Sequence, residues 1–311
     1  MLLVLLTMIK QLYYWLVDPI VITRLSYSKY FRYILRFLFN WKMNYAWVSY
    51  LNSTPELIRW KNDYQGPLYL KLQYPYLSGN LNDPQKLACL TQHYDWFFRE
   101  IDECYHVQKE VPLWQYSIEN EEQNQELGVY LQFRADFEHE GEAGLLLKLN
   151  GAIQYTLTFS YILIDGQPTF FIGGLQGGKK DITNPEGIKQ MTKGLYGLRP
   201  KQLMLHALSV LCEFYKVKRI VGVSNENHAF KSSRKKRWRE RVKTNMDEFW
   251  LEFGAESDVW GNFVFKPLSS QIDLEEIPSK KRSQYRKRQL VLDQLVEQGT
   301  AQLLTLKPML K

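Results

Sequence analysis

The sequence predicts an α/β (α+β) protein, with a mixed, largely antiparallel central sheet flanked by helices and preceded by a helical N-terminal extension. Three observations carry that prediction. Tyr155, Leu157, Phe159 and Tyr161 alternate with Thr156, Thr158, Ser160 and Ile162, the period of a strand. Asn150-Gly151 and Asp165-Gly166 are tight-turn dipeptides on either side of that strand, so neighbouring strands run antiparallel. Finally, Leu203, Ala207, Val210, Leu211 and Phe214 share one face of a helix opened by Pro200. An apolar strand at Arg219–Ser224 follows it, and a strand–helix–strand crossover implies a parallel pair.

Residues 1–60 read as helices, broken at Asp18-Pro19 because the residue before proline avoids helical geometry. Ser53-Thr54-Pro55 starts a further short helix. Residues 61–311 read as one α/β domain. Within it, Asp83-Pro84 reads as an N-cap followed by proline. The helix behind carries Leu87, Leu90, Tyr94, Phe97, Ile101 and Tyr105 on one face, with His93 at its flank. Strands are expected at Val129–Phe133, Gly144–Leu149, Gln154–Leu163 and Thr169–Gly173. A glycine-rich break then covers Gly173, Gly174, Gly177 and Gly178, with a loop or short helix up to Arg199. A basic helix over Lys231–Lys243, closed by Phe249–Phe253, a strand at Asn262–Phe265 and a charged helix over Ser283–Val296 complete the chain.

Composition narrows the classes of function. Three cysteines, Cys89, Cys104 and Cys212, are too few and too widely spaced for a disulfide framework. The five histidines form no ligand pair, so the expectation is no metal. Met1–Ile9 is apolar, but Lys10 and Gln11 interrupt it well before the roughly 20 residues a span needs. It also lacks the basic lead and small-residue cleavage site of a secretory signal. The expected location is cytoplasmic, or peripheral at an inner membrane.

The net charge of +7 points to an anionic partner. Aromatic and basic residues mix through Tyr13–Lys42, a pattern that suits either an anionic membrane surface or helices packed on a core with their cations in water. Lys231–Lys243, with Trp238, could meet phosphates or be a solvated face. Nucleic acid ranks last, since no recognised module accompanies the charge.

Candidate site residues fall into three groups. Gly197, Arg199 and Lys201 surround the N-terminus of the helix from Pro200, where free backbone N–H groups and the helix dipole favour an anion. Gly174, Gln176 and Gly177 could let backbone approach a ligand closely, or simply end a strand in a bulge. His228, just past a strand end, could act as a general base with Glu226 or Asp247, or cap a helix start.

Several motifs in order resemble the VirK/YbjX family, a bacterial family of unknown function. They are Tyr155–Ser160, Ile172–Gly177, Gly197–Lys201, Val223-Ser224-Asn225 with His228, Asp247–Trp250, His93-Tyr94 and Ile277–Ser283. The match covers roughly residues 60–290. It implies a bacterial protein linked to virulence, envelope integrity and antimicrobial-peptide resistance, and supplies no catalytic residue.

A second similarity is to the GNAT acyltransferases, in the order meander, strand, helix, strand, and in Asn227 with Ala229 and Phe253-Gly254-Ala255. It implies acyl-CoA or acyl carrier protein as acyl donor. Two departures stand out. A long segment, Gly174–Arg199, replaces the compact phosphate loop, and Phe249 and Trp250 stand where that fold usually has an acidic tyrosine.

Overall fold

The structure, a computed structural model, describes residues 27–63, 68–105, 110–119, 124–133, 139–178, 185–231 and 245–308. The break at Asp18-Pro19 and nearly all of the basic run lie outside them. The described residues divide into two compact units. One holds those up to Tyr76 together with Leu81–Thr91; the other holds Leu77–Asn80 and everything from Gln92 onward.

In the first unit, α1 (Tyr27–Phe39), α2 (Trp41–Ser53) and α3 (Pro55–Asp63) lead to a 3₁₀ turn at Leu68–Gln73. Trp47, Val48 and Leu51 of α2 are buried, and the Trp47 indole N–H donates to the Leu68 carbonyl at 2.8 Å. Helix α4 (Asp83–Glu100) begins one residue earlier in its capping than the sequence suggests. Asn82 Oδ1 accepts from Gln85 N and Gln85 Oε1 from Asn82 N, a reciprocal capping box with Asn82 as the cap.

The second unit is built on β1 (Glu110–Ile118), β2 (Gln125–Gln132), β3 (Ala143–Leu149), β4 (Ala152–Ile164) and β5 (Gln167–Gly177). After them come α5 (Pro185–Gly194), α6 (Pro200–Phe214), β6 (Arg219–Gly222), α7 (Met246–Leu251), β7 (Glu256–Ser257), β8 (Phe263–Phe265) and α8 (Ser279–Leu306). Among the described residues one open sheet has the order β1-β2-β3-β4-β5-β6-β8-β7. Every pairing is antiparallel except β5 with β6, the crossover pair expected from the helix between them. Asn150 and Asp165 have positive φ, each followed by a glycine that does too, as two-residue hairpin turns require.

Helix α6 is buried on more than one side: Leu203, Met204, Leu205, Ala207, Leu208, Leu211 and Cys212 are all covered, and α8 packs on it and on β1. His93 is buried and its Nδ1 accepts the Tyr161 amide at 3.1 Å, fixing α4 to β4. Trp96 stacks on Tyr161 at 5.0 Å and meets Phe170 edge-on. Among the described residues no helix is long and apolar enough to cross a membrane.

Four sequence expectations need correction. Strand β1 is absent from the expected set: Pro112 interrupts its alternation, and the register to β2 shifts just there. The glycines at 173 and 174 do not end β5 but lie inside it, because β4 goes on pairing from Gly174 to Gly177, the strand's last residue. Phe249 belongs to a separate short helix, α7, opened by Asn245, whose Oδ1 accepts from Glu248 N. The last helix starts four residues before Ser283 and runs on to Leu306.

Candidate functional site

Glu140 is completely buried, and so, nearly, is His228. The segment Leu77–Asn80 brings them together. Leu77 N donates to the His139 carbonyl at 2.9 Å, and two residues on Gly79 N donates to the Asn227 carbonyl at 2.6 Å. Ser78 bridges to His228 between them. The imidazole Nε2 then lies 3.3 Å from Glu140 Oε1. Nδ1 accepts the Phe230 amide at 3.2 Å, so in the neutral ring the proton sits on Nε2 and points at the carboxylate. Gln176 Nε2 donates to the same Oε1.

Among the described residues the other oxygen, Oε2, has no hydrogen-bond partner. Nor does Thr158 Oγ1, on the residue of β4 that pairs with Gly174. Burial is the largest influence on the Glu140 carboxyl and pushes its pKa up, opposed by His228 and by Gln176.

The register explains the carboxylate's seat. Thr158 pairs with Gly174 and Phe159 with Ile172, leaving Gly173 as the extra residue of a bulge. A Cβ on Gly173 would fall 2.0 Å from the Glu140 carbonyl oxygen, and one on Gly174 2.0 Å from Oε2. Only glycine at both positions lets Glu140 lie across the strand. Beside it, Glu142 N donates to Ser160 Oγ at 3.0 Å, and the Tyr94 hydroxyl donates to Glu142 Oε2.

The bulge is also where β5 and β6 part. Their pairing runs from Thr169–Arg219 to Ile172–Gly222, and its final bond is Val223 N to the Ile172 carbonyl. Trp250 sits at the divergence, donating its indole N–H to the Val223 carbonyl at 2.9 Å.

Beyond the end of β5 lies a cleft of about 660 Å³ between α5, the start of α6 and α7. Lys189, Lys193, Arg199 and Lys201 contribute cations to its wall, Glu248 and Glu252 anions, Tyr155 and Phe249 rings. Arg199 is paired with Glu252, both about half exposed. Burial, then the neighbouring Arg199, lowers the Lys201 pKa, with Glu252 opposing. The Lys201 ammonium lies 5.6 Å from the centre of the Phe249 ring. The first turn of α6 faces the cleft, with Gln202 Oε1 accepting from Arg199 N to cap it. Among the described residues no cluster of His, Cys, Asp and Glu is arranged to hold a metal.

A family model described as "Protein of unknown function (DUF535)" matches residues 24–301. This chain belongs to the DUF535 family. It is 29% identical to the Escherichia coli K12 "Uncharacterized protein YbjX" over 270 residues, 86% of this chain and 81% of that one. Two Haemophilus influenzae relatives, each named "Uncharacterized protein", are 34% identical over 125 residues (40% of both chains) and 26% identical over 284 residues (88% and 89%). No solved structure matches.

In this DUF535 protein the sequence-predicted residues separate into two places. Gly174, Gln176 and His228 meet at the buried carboxylate. Gly197, Arg199 and Lys201 line the cleft. Gly177 is exposed at the end of β5, opposite Tyr155, which also lines the cleft. Glu226 and Asp247, the carboxylates expected beside His228, are elsewhere. Glu226 is exposed. Asp247 Oδ1 accepts Asn225 N at 2.7 Å, fastening the loop after β6 to the start of α7.

Glu140 is the carboxylate beside His228 instead, and sequence reasoning missed it. It stands in His139-Glu140-Gly141-Glu142, a polar run just before an apolar strand, which reads as a solvated loop. The available signal was the paired glycines 173 and 174, which need a close neighbour without naming it.

Proposed function

We propose that this protein is an acyl-transfer enzyme, with a phosphate-bearing thioester, acyl-CoA or acyl carrier protein, lying in the cleft and Glu140 with His228 handling the acceptor's proton. The observation that carries this reading is the coincidence at Gly173. There the parallel strands part beside a buried, half-satisfied carboxylate, and the cationic cleft opens a few residues further along β5. The order of strands and the crossover through α6 agree with the acyltransferase likeness noted in the sequence.

The chemistry follows from the donors present. Arg199, Lys201 and the N-terminal amides of α6 bind donor phosphates. An amine or hydroxyl acceptor attacks the thioester carbonyl, forming a C–N or C–O bond as the C–S bond breaks. The acceptor's proton passes to the Glu140 carboxylate, whose raised pKa suits it to take one, and the departing thiolate is protonated from solvent. Unpartnered Oε2 is the atom that receives the acceptor's N–H or O–H. The family resemblance suggests an envelope component or its precursor as acceptor.

The test is native mass spectrometry and calorimetry of the purified chain with acetyl-CoA, a long-chain acyl-CoA and acyl carrier protein. Binding weakened by Arg199→Ala with Lys201→Ala, and thioester turnover lost in Glu140→Gln with binding kept, are expected. Failure of all three donors to bind ends the proposal.

A further inference from the structure

We infer that α1 and the start of α2 form a docking face for an anionic phospholipid bilayer. Five large apolar side chains on this stretch are exposed: Phe31 (63%), Leu35, Leu38, Phe39 (93%) and Trp41. At 3.6 residues per turn, Phe31, Leu35, Leu38 and Phe39 fall on one face. That face is not the one that packs inward. Tyr33 and Phe37 turn the opposite way and are buried, the Tyr33 carbonyl accepting Gln73 Nε2 at 3.3 Å. The helix therefore has two apolar sides, one satisfied by its own unit and one presented outward. Single exposed apolar residues are ordinary, but a contiguous stripe of this size marks an interaction surface.

Charge decides what the surface fits. Arg32 and Arg36 are exposed and lie along one margin of the stripe, with Arg36 held over the Tyr74 ring. Lys42 sits over the Trp41 ring, so the stripe ends in a ring-and-cation pair of the kind that settles at headgroup level. Between Asp18 and Glu56 the chain has no acidic residue and five basic ones, Arg24, Lys29, Arg32, Arg36 and Lys42. An apolar stripe bordered by cations and free of anions is complementary to a surface with an apolar interior and a negative skin, which is an anionic bilayer. The helix lies on such a surface rather than crossing it, being only 13 residues long.

This inference is independent of acyl transfer, and its test reads no activity. The full chain is sedimented with vesicles of phosphatidylcholine alone and of phosphatidylcholine with phosphatidylglycerol, at low and raised salt. Binding to the anionic vesicles, weakened by salt, is expected, together with a blue shift of tryptophan emission. The triple variant Phe31→Ser, Leu38→Ser, Phe39→Ser should bind at least about tenfold more weakly while melting as the parent does, since none of the three is buried. A second variant, Arg32→Glu with Lys42→Glu, keeps the stripe and should lose the preference for anionic vesicles. No binding by the parent chain, or undiminished binding by the triple variant, overturns the inference. So does a parent dimer that the triple variant abolishes without any vesicle binding, which would assign the stripe to a second copy.

Discussion

Glu140 Oε2 occupies the space where a side chain at position 174 would begin: a Cβ added to Gly174 would come within 2.0 Å of it. The neighbouring Gly173 is just as tightly opposed, but by the Glu140 backbone rather than by its carboxylate. The two glycines thus guard different things, one the path of the chain and the other the seat of a functional group.

Their separate roles predict a double-mutant result. Gly173→Ala must push backbone and should destabilise by about 1–3 kcal/mol in any background. Gly174→Ala should destabilise the parent chain but cost little in a Glu140→Ala background, where the opposing carboxylate is gone. Urea midpoints of the three singles and two doubles measure the coupling, and additivity at position 174 would show that the carboxylate is not what glycine accommodates.

Glu140→Gln should stabilise the protein at neutral pH. The buried carboxyl has a folded pKa above its unfolded value of 4.5. Its stabilising contribution is complete below that unfolded value and is lost as pH rises through the folded one. Gln keeps the shape and carries no charge to bury. Burying a polar group without full compensation costs about 1–3 kcal/mol, and a charge more, and each kcal/mol moves the melting point of a protein this size by about 1–2 °C. Melting curves from pH 4 to 8 should therefore show a gain for the variant that grows with pH. A variant that melts lower than the parent throughout would mean the charge is not costly.

Glu252→Gln should raise affinity for phosphate-bearing ligands several-fold at low salt. The Arg199–Glu252 pair is about half exposed, so breaking it costs at most about 1 kcal/mol of stability. Removing Glu252 leaves Arg199 facing the cleft unneutralised, and Lys201→Ala should have the opposite effect. Calorimetry with coenzyme A at two salt concentrations checks both. Unchanged affinity in both variants would place anion binding elsewhere.

His206 should make the protein lose stability on mild acidification. Burial first, then the nearby Arg288, lowers its pKa from 6.5 to about 4. Between those values the unfolded chain holds a proton that the folded chain does not, so stability is present above pH 6.5 and declines as pH falls toward 4. Urea midpoints at pH 7 and pH 5 should differ less in His206→Asn than in the parent. An equal loss in both would remove His206 as the cause.

Much of this protein was legible as sequence wherever the information is local. The alternation in Tyr155–Ile162, the turn pairs at Asn150 and Asp165, and the apolar arc of Leu203–Phe214 each specify an element within a few residues, and each element formed. The parallel pair followed from the strand–helix–strand order, because the connection has only one favoured hand and direction. The motifs that resembled the VirK/YbjX family also lie in short runs, and the DUF535 match agrees with them.

What the tertiary structure decided is which distant residues meet. His228 was visible as a candidate, but its partner depends on how far each strand shifts. One extra residue at Gly173 sets the β4–β5 register, and the segment Leu77–Asn80 ties His139 to Asn227. Together they carry Glu140, not Glu226 or Asp247, to the imidazole. Periodicity could not reveal this, because a buried carboxylate in a loop and a solvated one have the same local sequence. Only the packing around Glu140 distinguishes them.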